Sequence, residues 1–576
     1  MVGTDLLVKR PSLRQFVKHL LTPPPPSPRP PVTSPPDDVD VALVYHQRTR
    51  HFPGRYARAL GYMDWDTQPD PFRHFDGSPQ LSLPLGEVSE DPRYEQVFFE
   101  GGVPSVPLTR ESLAQFLYDS VALSAWKEAG EARWALRVNP SSGNLHPTEV
   151  YILVGGVPGL SEKPGIYHYH PYHHGLEVRA EVPLEVWTRL VGHLGENTFL
   201  VGLTSIPWRE AWKYGERSFR YCQHDLGHAA AALSIGAACQ GWDLRYWSGP
   251  TSEHLSILLG IFDQRGPEAE EAEGLFVVRP GPAPLPPVEV LTPLVETCRE
   301  TRWQGQARAL SQEHHDWPVI PVVARATRRG ALPPAAEHRL VNTSLIRGES
   351  LLPARRILRQ RRSAVDMDGV TGLSASAFFQ ILLKTTPGQG QVPFDLFPWT
   401  PTVHLALFVH RVEGVEPGLY LLVREVSTLP LLREHLRPDF LWTRPEGCPP
   451  SLGLWLLQRG DFRSVARSTS CGQNIASDGV FAVAMLAHFE PLIREGGGHV
   501  WRQLHWEAGQ VGQMLYLEAE ASGIRGTGIG CFFDELSHQA LGIRDTTFQV
   551  IYHFTMGGAV EDKRLRTTSA YPHRGG

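Results

Sequence analysis

One pattern of residues recurs in this chain at a near-constant separation, and a repeat of that length leaves few architectures open. A small-residue segment, HDLGHAAAALSIGAACQG from His224, is matched by WEAGQVGQMLYLEAEASG from Trp506. Asp225, Gly227, Gly241 and Gly260 correspond to Glu507, Gly509, Gly523 and Gly542, each pair 282 positions apart (507 − 225 for the first). Both copies close on Leu-Gly-Ile, at 259–261 and 541–543. Upstream, Pro164-Gly165-Ile166-Tyr167 matches Pro417-Gly418-Leu419-Tyr420, and Pro147-Thr148 matches Pro401-Thr402. Each Pro-Thr is followed by an apolar, β-prone run, EVYILVGG or VHLALFVHRV. This is a duplicated α+β unit.

Gly and Ala through the middle of a helix cost propensity, so each repeated helix makes sense when buried against a closely approaching neighbour. Gly241 and Gly523 stand where a left-handed residue would end the helix. Two copies packing these helices together form a pseudo-twofold dimer within one chain. The boundaries follow: an N-terminal arm at 1–39, a first domain at 40–280, a connector at 281–350 and a second domain at 351–576. The arm contains TPPPPSPRPPVTSPPD at 22–37, a polyproline-prone stretch that cannot form a core. The connector is again proline-rich, with a helical segment expected from Val290 to about His315. The acidic run PEAEEAEG at 267–274 reads as a solvated loop.

Composition excludes several classes. With 55 Lys plus Arg against 61 Asp plus Glu, a basic groove for nucleic acid is not the default. The 6 cysteines are scattered without a C-x-x-C pair, which fits neither a disulfide framework nor a zinc ribbon. Leu6, Leu7 and Val8 run straight into Lys9 and Arg10, and no 18-residue apolar stretch occurs. The expectation is a soluble, cytoplasmic protein that engages neither membrane nor nucleic acid.

Four motifs offer chemistry, each with a plainer structural alternative. Pro140, Ser141, Ser142, Gly143 and Asn144 crowd hydroxyls, an amide and backbone N–H groups into one loop, suited to the polar edge of a flat heterocycle or to an ordinary capping turn. Arg361, Arg362 and Ser363 suit a phosphate dianion, or form a solvated basic face. Gly526, Gly528 and Gly530 let backbone approach a ligand, or mark a tight turn. Lys213 and Tyr214 set an amine beside a phenol, with Arg217 and Arg220 following; crowding by cations would lower the amine's pKa and make it a base, the alternative being surface charge. His224 and His228 stand at i, i+4 but lack a third ligand, so they are assigned structural roles. His168, His170, His173 and His174 read as a hydrated hairpin, and no metal is assigned.

Taken in order, RVNPSSGNLHPTEVYI, GIYHYHP, KYGERSFRYCQHDLGH, RRSAVDMDG, and GTGIGCFFDE with HFTMGGAVEDKRL resemble the nitroreductase superfamily, specifically SagB/ThcOx-type dehydrogenases, with two such domains in tandem. The resemblance implies an α+β fold binding FMN at a dimer interface, here an intramolecular pseudo-dimer that could serve as a monomer. It implies that Arg361, Arg362 and Ser363 clamp the phosphate, with Arg564 assisting. Pro140, Ser141, Ser142 and Asn144 would meet the ring or ribityl chain, and the backbone from Gly528 to Gly530 would lie near the isoalloxazine. Lys213 and Tyr214 resemble the catalytic pair of azoline-oxidising relatives: Lys213 takes a proton, Tyr214 orients or shares it, and hydride passes to flavin. The substrate would be a thiazoline or oxazoline in a modified peptide, or a small molecule; reduction of a nitro, quinone or carbonyl compound with NAD(P)H is equally compatible.

The copies depart from each other. Pro140 to Asn144 fall on Phe394-Asp395-Leu396-Phe397-Pro398, and Lys213 and Tyr214 fall on Glu495 and Gly496. The first half offers only Arg48-Thr49-Arg50 in place of Arg-Arg-Ser, and Trp242-Asp-Leu-Arg-Tyr where the second has Gly-rich backbone. The expectation is one competent FMN site per chain, at the interdomain interface, beside a degenerate twin. The contrasting class is a flavin-binding or flavin-free pseudoenzyme, a scaffold in a peptide-modification complex that uses its proline-rich arm.

Overall fold

The apolar runs after Pro147 and Pro401 become the first central strands of two antiparallel sheets. The structure, a computed structural model, describes residues 37–331, 351–388 and 390–574. The proline-rich stretch at 22–37, apart from Asp37, and the connector from 332 to 350 lie outside the described residues. The first sheet comprises β1 (Gln80–Ser82), β2 (Thr148–Val154), β3 (Gly165–His170), β4 (Gly175–Glu181), β5 (Phe199–Ser205), β6 (Asp243–Tyr246) and β7 (Glu271–Arg279), in the order β1-β4-β3-β2-β5-β7-β6. The second comprises β8 (Val403–Val409), β9 (Gly418–Leu422), β10 (Leu454–Arg459), β11 (Phe481–His488), β12 (Arg525–Ile529) and β13 (Phe548–Gly557), in the order β10-β9-β8-β11-β13-β12.

Apart from the edge strand β1, the two sheets share one topology. Counted from the first central strand, both run third, second, first, fourth, sixth, fifth, with antiparallel pairing throughout. Register agrees as well: Ile152 faces Tyr167 and Val201, as Leu407 faces Tyr420 and Val483. β2 and β8 are buried along their whole length, which continuous runs such as TEVYILV and VHLALFV permit. Each half also inserts one long helix between its fourth and fifth strands. The short helix α1 (Pro207–Tyr214) precedes the first of these, α2 (Ser218–Ala238), and the second is α3 (Val500–Ala521). Gly241 and Gly523 follow these helices with φ of 66° and 72°.

The two long helices cross at their matched glycines. A Cβ on Gly227 would lie 2.2 Å from the Trp506 carbonyl oxygen, and one on Gly509 would lie 2.2 Å from that of His224. The two contacts are reciprocal, since each glycine meets the residue three places before the other. Around the crossing, Phe219 stacks on Trp501 with centroids 5.6 Å apart, and the Trp506 indole donates to Gln223 Oε1 at 2.7 Å. Every residue of α2 is buried. The small-residue composition is therefore a condition of backbone approach.

The halves interlock elsewhere too. Arg566–Thr568, from the second half, pairs with Leu123–Ala129 of the first, which pairs in turn with Ala132–Arg137. The acidic run is not a solvated loop: Glu271–Arg279 is a sheet strand, and Glu270 and Glu273 are buried. Glu270 accepts from Tyr151 and Thr204, and Glu273 from Gln223 and Arg502, so burial is matched by donors. The connector helix ends at Glu300, and a separate helix spans Val319–Ala326. The histidine-rich strand is buried instead of hydrated. His168 bridges Glu149 and Glu177 at 2.9 Å each, and these bonds lift it to about 9 against burial, which acts the other way. No helix among the described residues is long and apolar enough to cross a membrane.

Gly227→Ala and Gly509→Ala should each cost about 3 kcal/mol, because the clash is with backbone that side-chain motion cannot relieve. Gly192, in a helix with open space beside it, is the contrast: Gly192→Ala should be neutral or stabilise by up to about 1 kcal/mol. Thermal unfolding midpoints of the three variants check the ordering.

Candidate functional site

Where the halves meet there is a cavity of about 700 Å³ with one wall from each half. The first-half wall is the loop leading into β2. Its conformation is demanding, with Gly143, Asn144 and His146 all at φ between 52° and 60°. Asp225, on α2, holds it: the carboxylate accepts from Ser141 Oγ at 2.7 Å, Ser142 N at 3.0 Å and Ser142 Oγ at 2.9 Å. Asn144 donates to the Ala135 carbonyl at 2.8 Å, and its Oδ1 lies 3.1 Å from His146 Nε2. The hydroxyls of Ser141 and Ser142 thus brace the loop. In the other half Glu507, at the matched helix position, accepts from Thr402 and Val403 at the start of β8.

Helix α1 begins at Pro207, which presets the backbone, and ends at Gly215, where φ is 54° and a Cβ would strike the Arg58 carbonyl oxygen at 2.3 Å. Its last turn delivers Lys213 and Tyr214 to the loop. A Cβ on Gly143 would sit 2.6 Å from Tyr214 Oη and 3.2 Å from Lys213 Nζ. Tyr214 lines the cavity, while Lys213 stands just behind it over the same glycine. Burial, then the Glu210 carboxyl, raise Tyr214 well above an ordinary phenol, so it keeps its proton and acts as a donor. Beneath the loop lie two buried carboxyls. Burial pushes Asp225 up to about 7 despite its serine donors, and burial with neighbouring Asp225 raises Glu210 further. Neither Glu210 oxygen has a hydrogen-bond donor, so burial and the neighbouring Asp225 favour its protonated form.

The second-half wall is cationic. Arg361 donates through Nε and Nη2 to the Val138 and Arg137 carbonyls, both at 3.0 Å, tying it to the opposite loop. Arg362 donates to the carbonyls of Arg359, Arg361 and Ser124, and Ser363 Oγ lies 2.9 Å from Tyr516 Oη. Burial lowers Arg361 to about 10; burial with Arg361, Arg359 and Arg525 nearby lowers Arg362 to about 9. No carboxylate among the described residues lies within ion-pair distance of Arg361 or Arg362. Cations crowded without counter-ions favour a bound anion. Arg137 Nε, Asn139 Oδ1 and His146 Nδ1, on cavity-lining residues, also lack partners.

Gly528 and Gly530 line the cavity for a reason the sequence does not show. A Cβ on Gly528 would meet Tyr552 Oη at 2.0 Å, and one on Gly530 would meet the Tyr221 ring at 2.4 Å. The Tyr552 and Tyr221 rings, which line the cavity themselves, leave no room for a side chain at either position. Pro140 lines it as well, but Arg564 does not: its guanidinium is 87 % exposed and held by Asp562 at 2.7 Å. Sequence reasoning missed Asp225, Glu210, Tyr516, Arg525 and Cys531. Arg525 and Cys531 directly flank the Gly-rich motif, and Asp225 was marked by the repeat; Glu210 and Tyr516 carried no local signal.

The pseudo-equivalent position holds a cavity of about 340 Å³. Asp395, Asp243 and Glu100 line it, and no Arg or Lys does. Gly101, Val103, Pro104 and Ser105 also line it. Arg48 and Arg50, expected there from the sequence, lie elsewhere because carboxylates claim them: Arg48 binds Glu216 at 2.7 Å and Arg50 binds Glu535 at 2.8 Å. The twin has half the volume, and its Asp243 and Asp395 are already paired with Arg245.

The described strand orders and helices have a counterpart among solved structures. A crystal structure of a protein titled a nitroreductase, from Anabaena variabilis, superimposes with a TM-score of 0.66 at 23% identity, covering 90% of this chain and 99% of that one. The fold is nitroreductase-like. Homologues of known sequence agree in part: a protein of Methanocaldococcus jannaschii named as a nitroreductase is 28% identical over 143 residues, 67% of its length. The trifolitoxin-processing protein TfxB of Rhizobium leguminosarum bv. trifolii is 32% identical over 154 residues. This chain spans 38% of that relative's length. No family model matches the chain.

The acid pair makes a prediction about pH. A carboxyl raised to about 7 binds a proton in the folded state that the unfolded chain has released, so its stabilisation is full below about 4 and is lost progressively as pH rises to about 7. Asp225→Asn should flatten that part of the profile, as read by unfolding midpoints of both proteins between pH 5 and 8.

Proposed function

We propose that the chain is an FMN-dependent oxidoreductase of the nitroreductase superfamily, SagB-like, in which two tandem domains, 40–280 and 351–576, serve as each other's dimer partner around one flavin. The observation that carries this is the composite cavity, where Arg361 and Arg362 lack counter-ions on one wall and the other wall is a braced polar loop. Its volume falls within the range of small-molecule sites. The residues present fit the group. Arg361, Arg362 and Ser363, with Arg525 beside them, would hold the phosphate; the Gly528–Gly530 backbone and the loop from Pro140 to Asn144 would face the ring. FMN bound there supplies a two-electron hydride acceptor.

The chain's own residues then divide the proton work. Lys213, with no carboxylate within ion-pair distance among the described residues, takes the proton from the substrate's ring carbon or nitrogen. Tyr214, protonated across the physiological range, donates a hydrogen bond that holds the substrate beside that amine. Asp225 and Glu210 fix the loop on which both tips rest. One relative's name ties it to processing of trifolitoxin, which supports a thiazoline or oxazoline of a modified peptide as substrate, oxidised to the azole. A small molecule of the same chemistry would fit the same site.

The purified protein should show a flavin absorption spectrum and release about one FMN per chain. Arg361→Ala and Asn144→Ala should lose most of it. Two FMN per chain would overturn the single composite site, and none after reconstitution would favour the scaffold reading. Lys213→Ala should keep its flavin while azoline oxidation falls about 10²- to 10⁴-fold; unchanged turnover would remove Lys213 from the mechanism.

A further inference from the structure

Apart from the cationic clamp and the Lys213–Tyr214 pair, the cavity region holds two sulfurs. Cys531, directly after Gly530, lines the cavity; its Sγ lies 2.8 Å from Cys471 Sγ and 3.7 Å from His51 Nδ1. The carrying segments are stitched together on both sides of the sulfurs. Phe533 N donates to the Thr469 carbonyl at 2.7 Å, and Gln473 Nε2 donates to the Cys531 carbonyl at 3.0 Å. Cys471 sits in a turn at φ 56°. Both thiols are half-buried, whereas Cys222, Cys239 and Cys298 are buried.

Two chemistries could use Cys531, Cys471 and His51, and the distances separate them. Two thiolates on one tetrahedral zinc, at about 2.3 Å each, stand about 3.8 Å apart. A disulfide bond is about 2.05 Å. A separation of 2.8 Å is much too short for the first and within an ångström of the second. The two sulfurs also differ in character. The sulfur–sulfur contact, then His51 and Arg217, lower Cys531 against burial, while the same contact and burial raise Cys471; Cys531 is also the sulfur that lines the cavity. That is the asymmetry of an attacking and a resolving thiol.

We propose that Cys531 and Cys471 form a thiol–disulfide exchange centre for small linear disulfides that enter the cavity. The Cys531 thiolate attacks one sulfur of R–S–S–R, forming a mixed disulfide and releasing one thiolate. Cys471 then loses its proton to solvent and attacks Cys531 Sγ, closing the Cys471–Cys531 bond and expelling the second thiolate. The protein dithiol is oxidised by two electrons and the small disulfide is reduced to two thiols. The centre rests on the sulfur geometry and not on the flavin.

The full-length chain is incubated with oxidised glutathione at pH 7, quenched in acid, alkylated and mapped by mass spectrometry. The expected result is a Cys471–Cys531 linked peptide, with titratable thiols falling from six to four. Cys531 should react at least about tenfold faster than Cys448, the other half-buried cysteine. Cys471→Ser should stop at a glutathione adduct on Cys531, and Cys531→Ser should leave Cys471 unmodified. Absence of the link at concentrations that modify Cys448, a first adduct on Cys471, or one tightly bound zinc that protects both sulfurs would each overturn the proposal.

Discussion

Everything in this molecule depends on two helices touching backbone to backbone. Gly227 and Gly509 let α2 and α3 approach so closely that each carbonyl oxygen occupies the place of the other's missing side chain. That contact sets the spacing of the two sheets and brings a loop of the first half within reach of arginines in the second. Arg361 bonds to the Arg137 and Val138 carbonyls across the same interface that the helix crossing closes. A larger residue at either crossing would separate the cavity walls before touching any residue of the site.

The crossing also explains how α2 can serve two purposes. One face packs on α3, and another presents Asp225 to the loop before β2. The same helix position in the other half carries Glu507, which braces the start of β8 in the same manner. Duplication preserved the brace while the braced loops diverged. Phe394 to Pro398 lost its hydroxyls, and the surrounding cavity gathered Asp243, Asp395 and Glu100. The smaller cavity thus presents Asp243 and Asp395 already paired with Arg245, where the larger one presents Arg361 and Arg362 without a carboxylate partner among the described residues.

Much of this was legible in the sequence where the signal was periodic. The 282-residue offset marked matched helices, and the Pro-Thr and Pro-Gly pairs marked matched strands, because sheet and helix patterns are local. The loop at 140–144 and the clamp at 361–363 were visible as motifs. What the sequence hid was the destination of each polar group. Ser141 and Ser142 turn to Asp225, more than eighty positions away, and Arg564 is held by a carboxylate only two residues before it. Arg48 and Arg50 imitate a clamp by composition, yet Glu216 and Glu535 neutralise them. The acidic run looked solvated because its cations and hydroxyls come from distant strands and helices. Which charge meets which is a property of the fold, and composition does not encode it.

Carrying two halves of like topology in one polypeptide alters how many sites a single codon change can touch. In a homodimer every substitution appears twice, so an altered residue reaches both symmetry-related cavities. Here position 362 exists once and faces the larger cavity, while position 395 exists once and faces the smaller. Each cavity can acquire or discard a residue without obliging the other to follow, and a chain of this kind can specialise one binding chamber while its counterpart drifts into filler.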